Sequence, residues 1–359
     1  MKINWWRTSF GTGEVNAIVD AISQERIGMG PITEKLEKKI AELLDVPYVV
    51  VTPSGSVALF MALLANDIGV DDEVIIPNRT FIATAHAALL TKAKVVLVDT
   101  CPDKPIIDVS QITKKITSKT KAIMPVHLNG RAANMEEINT IASKNGLKVI
   151  EDACQAFFSK KGNQYLGTIS DTGCFSLGLA KLITTGYGGF AVCKEKQLYE
   201  KLIKLRNHGI LNSEQTEYND LGFNFKYSDM ISAIGIVQVS RAKEKIDHLI
   251  TIYNLYKSAI ENLPFLEMIP VNHTEGEVPL YIEVRSTERK KVLNHLEKHN
   301  IDYHLLPPNL NLSQHLNNEG DFPNSKKFDE QAFILPCGPS QPISNVEYVI
   351  EALNNLNYT

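Results

Sequence analysis

No stretch of this sequence approaches the ~20 consecutive apolar residues that span a bilayer, so nothing in it predicts a membrane-crossing helix. The opening MKINWWRTSFGTGEVN holds both tryptophans but no continuous apolar segment, and the chain is read as cytoplasmic. Cysteine is scarce. The five, Cys101, Cys154, Cys174, Cys193 and Cys337, are scattered and form no CxxC pair, which predicts reduced thiols and no zinc or other metal site. An excess of one charge is also missing. Lys and Arg total 37 against 41 Asp and Glu, spread along the chain without a basic block, which argues against a nucleic-acid partner. Neither internal repeats nor low-complexity segments occur. What is present is a 44% apolar content over 359 residues, enough for sizeable cores in about two domains.

From Tyr48 to Val192 short β-branched runs alternate with helical stretches. The runs are YVVV at 48–51, EVIIP at 73–77, KVVLVD at 94–99, AIMPV at 122–126, KVIED at 148–152 and GFAVC at 189–193. Such alternation predicts an α/β fold with a mostly parallel sheet covered on both faces, in which ligands gather at the carboxyl ends of the strands. After Ser228 a helical pattern runs through DMISAIGIVQVSRAKEKIDHLITIYNLYKSAIENL, read as one long connecting helix. The remainder holds one strand signal (LYIEV), a helix (RKKVLNHLEKHN), a proline-rich loop (LLPPNLNL) and a final helix. This predicts a large domain over 1–245, N-terminal segment included, and a small α+β domain over 246–359.

Three clusters carry chemistry. The first is Glu151-Asp152-Ala153-Cys154-Gln155-Ala156, directly after the strand KVI. A carboxylate at a buried strand end needs a facing cation or several donors, and a protonated pyridine nitrogen would serve; taken alone, Asp152 fits a helix cap equally well. The second is Cys174-Phe175-Ser176-Leu177-Gly178-Leu179-Ala180-Lys181, followed by LITTGYGGF. An apolar, glycine-bordered setting desolvates an amine and favours the neutral nucleophile that a Schiff base requires, although most lysines are solvated surface residues. The third is Thr52-Pro53-Ser54-Gly55-Ser56, between a strand and a helix beginning near Val57. Exposed amides at a helix start make an anion site, or simply an ordinary N-cap. Cys154 and Cys174 lie inside these motifs and are read as small buried hydrophobes.

Together the clusters resemble the DegT/DnrJ/EryC1/StrS family of sugar aminotransferases, and the resemblance covers nearly the whole chain. Its ordered segments are ERIGMGPITEKLEKKIAELL near the N-terminus, SGS at 54–56, PNRTFIATAHAAL at 77–89, VDTCPDKPIID at 98–108 and KAIMPVHLNGRAANM at 121–135. They continue with VIEDACQA at 149–156, GCFSLGLAK at 173–181, TTGYGG at 184–189, LRNHGI at 205–210 and LGFNFKYSDMISAIGIVQ at 221–238.

The resemblance implies fold type I, with a mostly parallel seven-stranded sheet, and a homodimer that shares its active sites. It implies pyridoxal 5'-phosphate as cofactor, with pyridoxamine 5'-phosphate between half-reactions. Lys181 would hold the cofactor as a Schiff base and act as general base, and Asp152 would bind the pyridine nitrogen. Gln155 would lie near the ring hydroxyl and Phe81 would stack on the ring, where the bland reading is core packing. Gly55, Ser56 and Ser176 would bind the phosphate, joined by Asn224 from the partner subunit; read alone, Asn224 is also a turn residue. Arg79 and Tyr187 stand where the family usually has other residue types, and both are expected near the substrate, with a surface ion pair as the alternative for Arg79. His304, beside two prolines, is a substrate-side candidate, whereas His127 and His208 are given no catalytic part. The implied reaction is ping-pong transfer of an amino group, from L-glutamate, to a nucleotide-linked keto sugar, a 4-keto-6-deoxyhexose or its 3-keto counterpart. The alternatives are a deoxysugar dehydratase, which a lysine at 181 disfavours, and a cofactor-binding regulator without turnover.

Overall fold

The computed structural model describes residues 2–212, 214, 217–316 and 320–356. Each β-branched run forms a strand. The large sheet holds β1 (Tyr48–Thr52), β2 (Glu73–Pro77), β3 (Lys94–Val98), β4 (Thr120–Ile123) and β5 (Lys148–Asp152); past a short hairpin of β6 (Lys160–Lys161) and β7 (Gln164–Tyr165) come β8 (Thr172–Ser176) and β9 (Gly189–Cys193). The strand order is β1-β9-β8-β5-β4-β2-β3, and β9 runs against all the others. The mostly parallel sheet is therefore as expected, with one strand that the β-branched pattern did not disclose. That strand, TGCFS, has a glycine at its second position, and a Cβ on Gly173 would lie 1.7 Å from the carbonyl oxygen of Gly167. Its place is set by what packs on it, which outweighs intrinsic β propensity.

Helices α1 (Thr12–Ser23) and α2 (Pro31–Leu44) precede the sheet, and α3 (Gly55–Ala65), α4 (Ile82–Leu90), α5 (Val109–Lys115) and α6 (Met135–Asn145) connect its strands. The sequence of α3, GSVALFMALLA, is apolar on every side, as suits a helix enclosed between the sheet, α4 and a later helix, α7 (Lys196–Arg206). It starts at Gly55, two residues before the expected Val57, because Ser54 accepts the Val57 N–H at 3.2 Å and so caps it. The helical pattern after Ser228 divides into α8 (Asp229–Ser240) and α9 (Ala242–Ile260). Between them Arg241 leaves the helical region (φ −99, ψ 11), and its guanidinium turns to Glu14 and Ser9 of the N-terminal segment. The boundary expected at 245 falls inside α9.

A second sheet, antiparallel, is built from β10 (Glu267–Met268), β11 (Ile282–Arg285) and β12 (Ala332–Leu335), with α10 (Arg289–Lys298), α11 (Pro323–Gln331) and α12 (Ile343–Asn354) around it. The first residues of the chain join this part, since Ile3 bridges to Ile301 and Trp6 to Cys337. Among the described residues no helix is long and apolar enough to cross a membrane.

Candidate active site

Side chains on a strand alternate between faces, so the neighbours Glu151 and Asp152 at the end of β5 point apart. Glu151 is fully buried and satisfied: it accepts from the amides of Gly167 (2.8 Å), Ile169 (2.8 Å) and Ser170 (2.7 Å) and lies 2.9 Å from His127 Nε2. Ala133 N–H donates to His127 Nδ1 at 3.2 Å, which leaves Nε2 to donate to Glu151. His127 is thereby committed to structure.

Asp152 faces the other way, into a cavity of about 470 Å³. Its Oδ2 accepts from the Thr84 hydroxyl at 2.7 Å and its Oδ1 from the Cys154 amide at 3.1 Å. The helix-cap role open to a strand-end aspartate is taken instead by Asp99, just past β3, which accepts from the amides of Asn324 and Ser325 at the start of α11. Lys181, half-buried, lines the same cavity. Its segment is closed on itself by Leu177 N–H to Gly188 O (2.8 Å) and Thr185 N–H to Leu177 O (3.0 Å).

Cys154 stands within electrostatic reach of both groups. Burial pushes its thiol well up, Asp152 adds to this, and Lys181 acts the other way. Burial likewise raises the Cys174 thiol. Both are protonated packing groups, not nucleophiles.

The floor of the cavity is the Ser54–Ser56 turn, where the first amides of α3 have no partner within the helix. Gly55 is required there by space. A Cβ would lie 2.8 Å from Cys154 Sγ and 3.0 Å from Ser176 Cβ, so Gly55→Ala is expected to cost about 1–3 kcal/mol of stability through overpacking. It should also loosen any anion held at the turn. A urea midpoint equal to the parent's would show that the thiol simply swings aside.

Ser176, Gln155, Phe81, Tyr187 and His304 line this cavity too. Phe81 is 53% exposed and Tyr187 81%, so neither is a core residue. Gln155 Oε1 accepts from the Asn129 amide at 2.9 Å. The His304 ring stacks on Trp5 at 4.3 Å, and burial lowers its pKa. Asn224 is exposed and lies outside this lining, bridged to Asn207.

Residues 9–354 match the DegT/DnrJ/EryC1/StrS aminotransferase family. The chain belongs to that family. It is 34% identical over 328 residues to GDP-perosamine synthase of Escherichia coli O157:H7, covering 90% of each chain. It is 32% identical to dTDP-3-amino-3,6-dideoxy-alpha-D-galactopyranose transaminase of Aneurinibacillus thermoaerophilus, covering 92% of this chain and 91% of that one. Its structure matches that of DesV from S. venezuelae in complex with ketimine intermediate, with a TM-score of 0.93 and 28% identity over 98% of this chain and 97% of that one. The fold-type-I architecture and the aminotransferase class stand with the family.

Arg79 makes the ion pair that stood as its alternative reading, with Asp329, but as a buried residue and not at the surface. It is buried, is not among the cavity-lining residues, and donates to Asn309 Oδ1 at 2.9 Å with Asp329 at 3.4 Å. Beside it Asn78 pairs with Asn311 through Asn78 Nδ2 to Asn311 Oδ1 (2.9 Å) and Asn311 N–H to Asn78 Oδ1 (2.8 Å). Arg79 and Asn78 thus strap the proline-rich loop, whose Leu306 and Pro307 line the cavity, to the end of β2. The arginine builds the wall from behind, which its position in the sequence gave no means of foreseeing.

The aminotransferase cavity also includes Thr84, Trp5 and Tyr281, none of them singled out by the sequence. Thr84 had a signal: it lies one helical turn after Thr80, whose hydroxyl it meets at 2.9 Å. Among the described residues no group of three or more His, Cys, Asp or Glu is placed to hold a metal ion.

Proposed function

We propose that this aminotransferase uses pyridoxal 5'-phosphate to move an amino group from L-glutamate to the keto group of a nucleotide-linked 6-deoxyhexose, at C4 or its C3 counterpart. The observation that carries the reading is one cavity lined at once by Lys181, Asp152, Ser176 and the Ser54–Ser56 turn. The nucleotide-sugar half draws on the relatives' names, GDP-perosamine synthase and a dTDP-amino-dideoxyhexose transaminase. In this reading the product serves surface polysaccharide, glycan or antibiotic synthesis, the enzyme works in the cytoplasm, and neither membrane nor nucleic acid is a partner. Residues 1–245 make the cofactor-binding unit and 246–359 the small one.

The residues present fit the cofactor. The absence of a side chain at Gly55 leaves room at the helix N-terminus for a phosphate, which the Ser56 and Ser176 hydroxyls and the helix dipole would hold. The exposed face of Phe81 offers a flat ring a stacking surface. When bound, the cofactor supplies an electron sink for the pair of electrons left at the donor Cα. Asp152, oriented by Thr84, would face the ring nitrogen. Gln155, held by the Asn129 amide, would lie near the ring hydroxyl. Lys181 would hold the cofactor and, once free, would serve as the base that takes the proton from the donor Cα. In this reading the enzyme is a homodimer, and Asn224, exposed and outside its own subunit's cavity lining, completes the partner's phosphate site.

Asp152→Asn keeps the shape and the Thr84 bond but loses the charge. Its turnover is expected to fall on the order of 10² to 10³-fold, since it removes fixed charge from the place where charge develops. A steady-state kcat within threefold (about 0.7 kcal/mol) of the parent's would sink the assigned role. The reading as a whole is tested by the cofactor's visible absorbance. L-glutamate should bleach it, and a keto-sugar nucleotide should restore it. Cofactor binding without bleaching by any amino donor would mark a regulator, and oxygen loss without amine gain a dehydratase.

A further inference from the structure

One residue of the cavity wall does more than line it. Tyr281, just before β11, is buried and held by its backbone as well as its ring. Asn129 Oδ1 accepts from the Tyr281 N–H at 2.5 Å, and Asn129 Nδ2 donates to the Tyr281 carbonyl at 3.0 Å. One side-chain amide thus pairs with the peptide as a neighbouring strand would. Asn129 is buried at a positive φ of +56, which asparagine tolerates better than most residues, and its own amide donates to Gln155. At the other end, the Tyr281 hydroxyl donates at 2.7 Å to the carbonyl of Ala180, the residue whose peptide leads into Lys181. Burial raises the Tyr281 phenol above its usual range while Lys181 pulls it down, so the hydroxyl keeps its proton at neutral pH and remains the donor to Ala180.

We propose that Tyr281, clamped by Asn129, is the positioning residue for Lys181, fixing the peptide before it and so the point from which its side chain enters the cavity. The inference rests on the reading of Lys181 as the cofactor-bearing lysine. A lysine side chain is long and flexible, and a reacting amine displaced by even 1 Å loses rate on the order of 10²-fold, so a tether of this kind has a large effect on turnover and little on substrate affinity. It also joins two ends of the site: Gln155, Asn129, Tyr281 and Ala180 form one hydrogen-bonded chain from the expected ring-hydroxyl side to the lysine.

Two variants separate the parts. Tyr281→Phe removes only the hydroxyl, and Asn129→Gly removes the clamp while accepting the positive φ without strain. Each purified enzyme is stripped of cofactor, mixed with pyridoxal phosphate and quenched with borohydride at intervals, and the Lys181 peptide is followed by mass spectrometry. Both variants should reach full labelling of Lys181, but about tenfold more slowly than the parent, with weaker visible circular dichroism from the bound cofactor. The kcat should fall about tenfold or more while KM for the keto-sugar nucleotide stays within about threefold. Capture rate, dichroism and kcat all within about twofold of the parent in Tyr281→Phe would overturn the proposal, even if Asn129→Gly proved unstable. A parent enzyme that never labels at Lys181 would overturn the functional reading, and this inference with it; normal labelling of the parent with unaltered variants overturns this inference alone.

Discussion

Lys181→Ala is expected to eliminate the borohydride-trapped cofactor adduct and to lower transamination on the order of 10⁴-fold or more, the upper range for loss of a general base, since the covalent anchor goes with it. Lys181 is the one lysine among the described residues that line the cavity. Of the other groups there, the Cys154 thiol is held protonated by burial, His304 is stacked on Trp5, and neither Tyr187 nor Tyr281 carries an amine. No neighbour is placed to take over both the bond and the proton transfer. Mass spectrometry of the borohydride-reduced protein reads the first effect, and single-turnover loss of the amino donor's Cα proton reads the second. An undiminished adduct in the variant would refute the assignment.

A comparably large effect, on stability, is expected at Glu283. This residue of β11 meets Arg131 at 2.6 Å, both side chains being 1% exposed. Arg131 also donates to the carbonyls of Pro270 (2.8 Å) and Ile269 (2.9 Å), so one guanidinium ties the loop after β4 to the second sheet. Glu283 further offsets the buried charge of Arg79, whose pKa burial lowers. In Glu283→Ala the buried Arg131 guanidinium loses its counter-charge and Arg79 is left with Asp329 alone, and the expected cost is about 3–5 kcal/mol, read as a lower urea midpoint. The apolar pair Arg131→Met with Glu283→Leu should recover much of that loss, because the expense lies in an uncompensated buried charge and not in the missing attraction. A cost below about 1 kcal/mol for Glu283→Ala would mean that water reaches the pair.

The same two residues mark how far the sequence could be read. Asp152 and the Ser54–Ser56 turn were legible because they stand at or just past the ends of β5 and β1, β-branched strands of one direction that deliver such residues to a common edge. Ser176 and Lys181 were legible through the apolar, glycine-bordered segment that holds them and its family resemblance. The sheet was legible where strands are β-branched. It was not legible at β8, whose glycine answers to a neighbouring backbone, nor at Arg241, where a helical pattern continues unbroken while the chain turns to meet Glu14 and Ser9. Tyr281 and Glu283 sit in a run read only as a strand signal, and alternation alone does not say which face meets a cavity and which a buried arginine.

By itself the sequence determined the strand-and-helix alternation, the lysine and aspartate that line one cavity, and the family to which the chain belongs, since all of these follow from residues near one another in order. Only the tertiary structure decided that Arg79 braces the proline-rich loop, that Trp5 comes from the chain's start to stack on His304, and that Asn129 grips Tyr281 across 152 positions. These are pairings between polar or aromatic groups far apart in the chain. Local patterns fix the direction in which a side chain leaves its element, but the partner it finds there is set by how separate elements pack, and burial makes that partner obligatory.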